Sequence, residues 1–455
     1  MSSGPRIYVG RIVHPKSLKQ LEILPQAALG VRENGKIAFL ERQLPDPPAL
    51  KTMYAAEGFV DAMTIYLKPS EFLFPGMIDT HLHAPQWPNL ALGMEGELRD
   101  WVENYTDPME ASYSDNDKAR RVYSDVVSTT LKLGSTTVAY NTTHHVEATN
   151  ILAKTAFDKG QRAIVGKMSI TQGSTHGNWE DSIEESLAAS ERDLEFMKAL
   201  DPERRLVHPC VQPRGGPYCP PELMAGLGEQ REKYDAYVQG HMCETQSDID
   251  RTLALHTPHT SYTAMYKSHN LLTPKSIMAH CIHLQPTDIS NLLSTGAGVA
   301  HNPNSNTCLR DGICRVRDLL SAGIKVGLGT DCSAGYMPSI HSAMRSASNV
   351  SRNLAMQTGE ERYILGFSEL VFLATLGGAE VLDMRDRIGS FEEGKEFDAL
   401  VVDVEGVISV EEGMWGEGSG RDEDLVKKWV FLGDDRTIRK VFVRGRLVGG
   451  HDVDG

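Results

Sequence analysis

Gly76-Met77-Ile78-Asp79-Thr80-His81-Leu82-His83-Ala84-Pro85-Gln86-Trp87 joins a short apolar run to two histidines one residue apart. Side chains alternate along an extended segment, so His81 and His83 share one face and Leu82 takes the other. Two imidazoles on one face of a strand are what two ligands of a single ion require. Such a pair does not complete a site, so the other ligands have to come from elsewhere in the chain.

Before this stretch, residues 1–75 read as short strands: Arg6-Ile7-Tyr8-Val9, then Val31-Arg32-Glu33 turning at Asn34-Gly35 into Lys36-Ile37-Ala38-Phe39-Leu40. Asn-Gly between apolar runs is a hairpin signal. The same texture returns at Asp398-Ala399-Leu400-Val401-Val402 and at 440–448. The two ends are therefore expected to build one small β-sandwich domain, 1–75 plus 385–455, beside a central domain, 76–384. In the middle, apolar strands at 77–83, 135–141, 162–168, 206–214, 236–244, 276–280, 298–302 and 325–331 alternate with amphipathic helices. Ile183, Leu187, Leu194 and Met197 mark one helical stripe behind acidic Glu180, Asp181 and Glu184, and Gly134 ends an earlier helix. Eight β-then-α units imply an α/β fold, a (β/α)₈ TIM-type barrel, with a doubly wound open sheet as the alternative.

The 455 residues are 40% hydrophobic and 24% charged, an ordinary globular balance, and carry a net charge of −15. That charge argues against nonspecific binding to nucleic acid or to an anionic membrane and favours a small-molecule partner. Seven cysteines, at 210, 219, 243, 281, 308, 314 and 332, show no close pairing and read as free thiols of a reducing compartment. With no signal-peptide pattern and no run of about 18 apolar residues, a soluble cytoplasmic protein is expected. Asn141-Thr142-Thr143 and Asn349-Val350-Ser351 then match glycosylation acceptors only formally.

Function in such a barrel sits at the C-terminal ends of the strands. There the chain places His81 and His83 on the first strand, His241 and Glu244 on the fifth, His280 on the sixth and Asp331 on the eighth. Buried charge is costly unless paired or bound to metal. Imidazole nitrogens with one carboxylate suit zinc, and iron also fits; three or four protein ligands with an open position for water make a catalytic site.

The chain resembles the amidohydrolase superfamily, and within it the guanine deaminases, over nearly its whole length. The resemblance is carried by Pro75-Gly76-Met77-Ile78-Asp79-Thr80-His81-Leu82-His83-Ala84 with Gln86 following, Gly240-His241-x-x-Glu244 and Met278-Ala279-His280. It continues through His301-Asn302-Pro303-Asn304-Ser305-Asn306 and Gly327-Leu328-Gly329-Thr330-Asp331. Phe372-Leu373-Ala374-Thr375-Leu376-Gly377-Gly378, Gly394-Lys395-Glu396-Phe397-Asp398-Ala399 and Phe431-Leu432-Gly433-Asp434-Asp435-Arg436 extend it.

The resemblance implies a homodimer that deaminates guanine to xanthine and ammonia, with one zinc per chain held by His81, His83, His241 and Asp331. It implies Glu244, His280 and Asp331 as the catalytic acid/base and water-orienting groups, and Gln86 and Arg214 against the purine edge, with Trp87 and Gly215 beside the pocket. The substrate walls depart from the family. Arg214 is followed by Gly215-Gly216-Pro217-Tyr218 where an aromatic residue is usual, leaving Tyr218 or Trp87 to supply a stacking surface. Segments 87–99, 141–145 and 307–312 also differ. The alternative substrates are therefore other amino-heterocycles, such as a pterin, 8-oxoguanine, a triazine or a specialised metabolite. A non-catalytic metal-bearing scaffold is the alternative of another class, which would have no use for Glu244 and His280.

Other signals do not hold. His145-Val146-Glu147 imitates a cytidine-deaminase zinc motif, but Pro209-Cys210-Val211-Gln212-Pro213 lacks the second cysteine. Lys167 is the candidate for a lysine bridging two metals, whereas the resemblance favours one metal. Gly296-Ala297-Gly298 is not a dinucleotide fingerprint.

Overall fold

The computed structural model describes residues 4–408 and 420–453; positions 1–3, 409–419 and 454–455 of the expected terminal domain lie outside the described residues. Eight parallel strands form the central sheet: β1 Met77–His83, β2 Ser135–Asn141, β3 Arg162–Val165, β4 Val207–Pro213, β5 Tyr237–Met242, β6 Ser276–His280, β7 Gly298–His301 and β8 Lys325–Leu328. They are hydrogen-bonded in chain order from β1 to β8, and the short strand Met168–Ser169 extends β3 by pairing with β4. Helices between the strands, among them Asn116–Lys132, Val146–Lys159, Ile183–Leu200 and Pro221–Tyr234, cover the outside.

The sheet closes on itself, which excludes the open-sheet alternative. Asp331 N–H donates to the His81 carbonyl at 2.8 Å and His83 N–H to the Cys332 carbonyl at 2.9 Å. The buried Asp79 carboxylate accepts from Thr330 N–H at 3.0 Å and from the Thr330 hydroxyl at 2.6 Å. Glycines permit the approach: a Cβ on Gly327 would lie 2.8 Å from Thr80 Cγ2, and one on Gly329 would lie 3.0 Å from His81 Cβ.

All eight expected strands are present, but five end early, the fourth and seventh by a single residue. The third breaks at Gly166, where a Cβ would collide with the Cys210 carbonyl. The fifth and eighth stop at Met242 and Leu328, which leaves Glu244 and Asp331 on the turns just beyond. Glu180 does not belong to the first turn of the helix Ile183–Leu200, which Ser182 caps by accepting from Glu185 N–H; Glu180 pairs instead with buried Lys167.

The terminal segments form one eight-stranded sheet. Arg6–Ser17, Gln20–Val31, Ile37–Glu41, Met63–Tyr66 and Glu71–Pro75 come from one end of the chain, and Ala399–Asp403, Ile438–Val443 and Arg446–Gly449 from the other. The join is Glu71–Pro75 running antiparallel to Ala399–Asp403. Tyr8 and Phe442 lie three strands apart in the ladder, yet their rings meet at 6.1 Å, and Tyr8 stacks on Phe397 at 5.1 Å. In a flat sheet three strand spacings would span about 14 Å. The sheet therefore curls over a core of its own, which includes Ile12, Leu29, Leu73 and Val401.

A buried ion cluster ties this sheet to the barrel. Arg162, at the start of β3, pairs with both Asp398 and Glu396, and its Nη1 also donates to the Thr137 hydroxyl at 3.1 Å. Removing one member of such a cluster strands the rest in low dielectric, at a cost of about 3–5 kcal/mol. Arg162→Leu should lower the denaturation midpoint by a corresponding amount while leaving the cavity residues in place. A midpoint equal to that of the parent chain would show that the pairing contributes nothing net.

His341 makes a second long-range tie. Its Nε2–H donates to the Trp429 carbonyl at 2.8 Å, its ring stacks on the indole at 4.6 Å, and burial drives its pKa down to about 3. The unfolded chain takes this proton near pH 6.5 and the folded one only near 3, so stability is whole above 6.5 and drains as pH falls, by about 1.4 kcal/mol per unit. Chemical denaturation of His341→Gln between pH 7.5 and 5 should show a shallower acid loss than the parent chain.

Candidate metal centre and cavity

β1 is buried along its whole length and delivers His81 and His83 to the mouth of the barrel, and β5 brings His241 to the same point. A Cβ on Gly240 would lie 2.6 Å from the Tyr266 hydroxyl, so glycine there lets Tyr266 pack against the strand beside His241. His83 Nε2 stands 3.2 Å from both His81 Nε2 and His241 Nε2. Asp331 Oδ1 is 3.3 Å from His81 Nε2 and 3.4 Å from His83 Nε2. Ligands about 2.0–2.1 Å from a tetrahedral zinc are separated from one another by about 3.3 Å, so these spacings match the edges of such a shell.

Burial holds all three imidazoles below their usual pKa, in the neutral form that binds metal. His241 Nδ1–H donates to the Arg214 carbonyl at 2.9 Å, which leaves its Nε2 lone pair free. Lone pairs of like polarity at this range repel unless a proton or a cation lies among them. The donor set therefore fits a single divalent ion. Lys167 does not join it: its ammonium is paired with Glu180, and its N–H donates to Asp193 Oδ2 at 2.8 Å.

Glu244 and His280 stand beside the cluster. His280 closes β6 in the left-handed region (φ +70°), and Asp331 also has positive φ (+47°). Non-glycine residues there cost about 1–3 kcal/mol and are held only by surrounding structure, a pattern concentrated at functional sites. Asn306 Oδ1 accepts from His280 Nδ1–H at 2.9 Å, which gives the Asn-rich motif at 302–306 a role in setting the ring. His280 Nε2 is buried without a partner, 3.4 Å from Glu244 Oε1 and 3.7 Å from Asp331 Oδ2. Burial, and then the charge of Asp331, pushes the Glu244 carboxyl well above the usual range.

These groups open into a cavity of about 380 Å³, lined also by Gln86, Arg214 and Gly215 and walled by Leu98, Trp101 and Val102. Trp87 is not part of this lining: it is half-buried and packs against the barrel core, because the tight turn Ala84–Asn89 sends Gln86 inward and its neighbour away. Of the two aromatic residues expected to supply a stacking surface, Tyr218 lines the cavity, with the Arg214 and Arg251 guanidinium groups 5.4 and 5.5 Å from its ring centre. Gly215 is extended (φ 161°), and a Cβ there would meet Tyr218 Cδ2 at an ordinary 3.5 Å. The backbone does not require glycine at this position, so its effect is to leave space.

Two residues, Glu110 and Asp107, went unread in the sequence, and a third, Asp311, was marked only through its segment 307–312. Glu110 is fully buried, accepts from Gln86 Nε2 at 2.9 Å and from Asn178 Nδ2 at 2.9 Å, and pairs with Arg214. Asp107 lies 3.4 Å from Arg214 and accepts from Thr175 N–H at 2.8 Å. Asp311, from the segment after β7, also lines the cavity. Glu110 and Asp107 fall in Tyr105-Thr106-Asp107-Pro108-Met109-Glu110, which looks like an exposed acidic turn, and Arg310-Asp311-Gly312 looks like a loop. Single acidic residues in such segments carry no periodicity, so the available signal was their place in the loops that follow strands.

A model of the amidohydrolase family matches residues 72–448. The probable guanine deaminase of Schizosaccharomyces pombe is 42% identical over 98% of this chain and 84% of that protein. The guanine deaminase of Rattus norvegicus is 36% identical over 97% of this chain and 96% of that protein. Among solved structures, guanine deaminase from C. acetobutylicum, with guanine bound in its active site, matches with a TM-score of 0.87 and 30% identity, over 98% of this chain and all of that one.

Glu110→Ala would strip the buried Arg214 of its nearest partner and Gln86 of its acceptor. A stability loss of about 3–5 kcal/mol is expected from Arg214 left uncompensated. Glu110→Ala combined with Arg214→Met should recover much of it, and equal losses in the single and double variants would refute the coupling.

Proposed function

The chain belongs to the amidohydrolase family, and from that premise we propose that it is a zinc-dependent aminohydrolase converting guanine to xanthine and ammonia. The observation that carries this reading is the convergence of three imidazole Nε2 atoms and Asp331 beside a protonatable glutamate, at the floor of one cavity. The guanine deaminases among its full-length relatives support the substrate.

His81, His83, His241 and Asp331 would hold the ion. Zinc supplies Lewis acidity that brings the pKa of water from 15.7 towards about 7. Asp331 takes a proton from the attacking water. Glu244, whose carboxyl burial pushes well above the usual carboxylate range, gives its proton to the ring nitrogen beside the amine-bearing carbon. Once ionised, Glu244 carries the proton of the added hydroxyl to the departing ammonia, and the proton on Asp331 then restores it. His280 Nε2 hydrogen-bonds the attacking oxygen. Arg214 and the unpartnered, buried Gln86 Oε1 present a donor and an acceptor to one edge of the base.

Ammonia release should be measured across guanine, 8-oxoguanine, pterins, cytosine and aminotriazines; turnover of another heterocycle without guanine would sink the substrate assignment. Glu244→Gln should lower kcat by about 10²–10⁴ with metal content and melting unchanged. Dialysis against a chelator should abolish turnover and lower Tm, and one equivalent of zinc per chain should restore both. Restoration by iron but not by zinc would overturn the choice of metal.

A further inference from the structure

Asp311 is the best buried of the cavity carboxyls that the proposed chemistry leaves unused, Glu97 and Asp248 being more exposed. Its residue is only 8% exposed, and its Oδ2 is buried with no hydrogen-bond partner. The backbone around it is held from several sides. Asp311 N–H donates to the Asn306 carbonyl at 3.0 Å, and the Asp311 carbonyl accepts from His283 Nε2–H at 2.9 Å. Arg310 sits in the left-handed region (φ +62°). Gly312 (φ +132°) lies so close to Ile282 that a Cβ there would meet its Cγ2 at 2.9 Å. A strained, pinned turn thus drives an unpaired carboxyl into the cavity that holds Glu244 and His280. Burial, and then the charge of Glu244, pushes this carboxyl up to about 8. Ionised or neutral, one of its oxygens can accept a hydrogen bond.

Position in the barrel says what it can accept from. Gln86 and Arg214, tied together through Glu110, occupy the mouth over β1 to β4. Asp311 follows β7, and in an eight-stranded barrel β7 lies across the mouth from β3. A planar base that turns one edge to Arg214 and Gln86 must turn its far edge to Asp311. Leaving a buried carboxyl unpaired is costly, so a site built this way rejects a ligand lacking the matching donor.

The geometry points to Asp311 as a specificity-determining residue, selecting amino-heterocycles that carry a ring N–H on the edge opposite the one read by Arg214 and Gln86. For a purine this donor is the imidazole-ring N–H. The inference rests on the aminohydrolase reading for the orientation of the base, but its test does not depend on turnover.

The zinc-loaded full chain and its Asp311→Ser and Asp311→Asn variants should be compared on guanine, 7-methylguanine and 9-methylguanine, and in calorimetric binding of hypoxanthine and its 7-methyl and 9-methyl derivatives, which lack the leaving amine. The parent chain should lose about 10- to 100-fold in kcat/KM, and as much in hypoxanthine affinity, when methylation removes the N–H. In Asp311→Ser that penalty should shrink to a few-fold and KM for guanine should rise with kcat retained, while Asp311→Asn, which keeps an acceptor, should fall between. An undiminished methylation penalty in both variants would assign it to steric exclusion and overturn the proposal, as would equal losses on every ligand accompanied by a lower Tm. Failure of the parent chain to release ammonia from guanine would defeat the guanine reading alone, since the hypoxanthine comparison still decides Asp311. Absence of any hypoxanthine binding would overturn this inference as well.

Discussion

Four ligand atoms of like polarity face one another near 3.3 Å at the centre of the barrel mouth, and much of the structure serves to keep them there. Three neutral imidazoles and a carboxylate would separate in water. They are held because β1 and β8 are clamped together by Asp79 and by backbone bonds from Asp331 and His83, an approach that only glycine at 327 and 329 permits. Closure of the barrel and assembly of the candidate metal centre are thus one event: the hydrogen bond from Asp331 N–H to the His81 carbonyl, just beyond β8, also carries the Asp331 carboxylate to the three histidines. An open sheet with the same strands would leave His81 and Asp331 at opposite edges.

Around that centre the cavity divides into two sides of different character. Over β1 to β4, the buried carboxylates of Asp107 and Glu110 neutralise Arg214 and Glu110 orients Gln86, so the cation facing the cavity is balanced in charge and fixed in direction. Over β5 to β8, among the described residues, the carboxyl groups of Glu244 and Asp311 have no lysine or arginine within salt-bridge distance, and burial raises both. Pre-organised donors and acceptors in a water-poor site discriminate more strongly than exposed ones. The family resemblance implied the chemistry of the floor and a departure at the walls, where Gly215, Tyr218 and Asp311 line the cavity.

Regular periodicity made the fold legible. Alternation marked β1, Asn34-Gly35 marked the hairpin, and apolar runs between amphipathic helices marked all eight barrel strands, because each of these patterns is local. Composite assembly of the terminal sheet could also be inferred, since two β-rich ends without a middle must pair with each other. The candidate ligands were legible for the same reason: a histidine or carboxylate at the end of a recognisable strand needs no knowledge of its neighbours to be suspected.

What the sequence by itself determined is therefore the set of elements and the chemical types waiting at their ends. Tertiary structure alone decided that Trp87 turns into the core while Trp101 walls the cavity, and that Glu110 holds Arg214 across more than a hundred residues. It also decided that Asp311 is left without a partner inside the pocket. The physical reason is that burial and pairing are properties of the space between elements. An acidic residue in a loop has the same sequence signature whether water, an arginine or a substrate will face it.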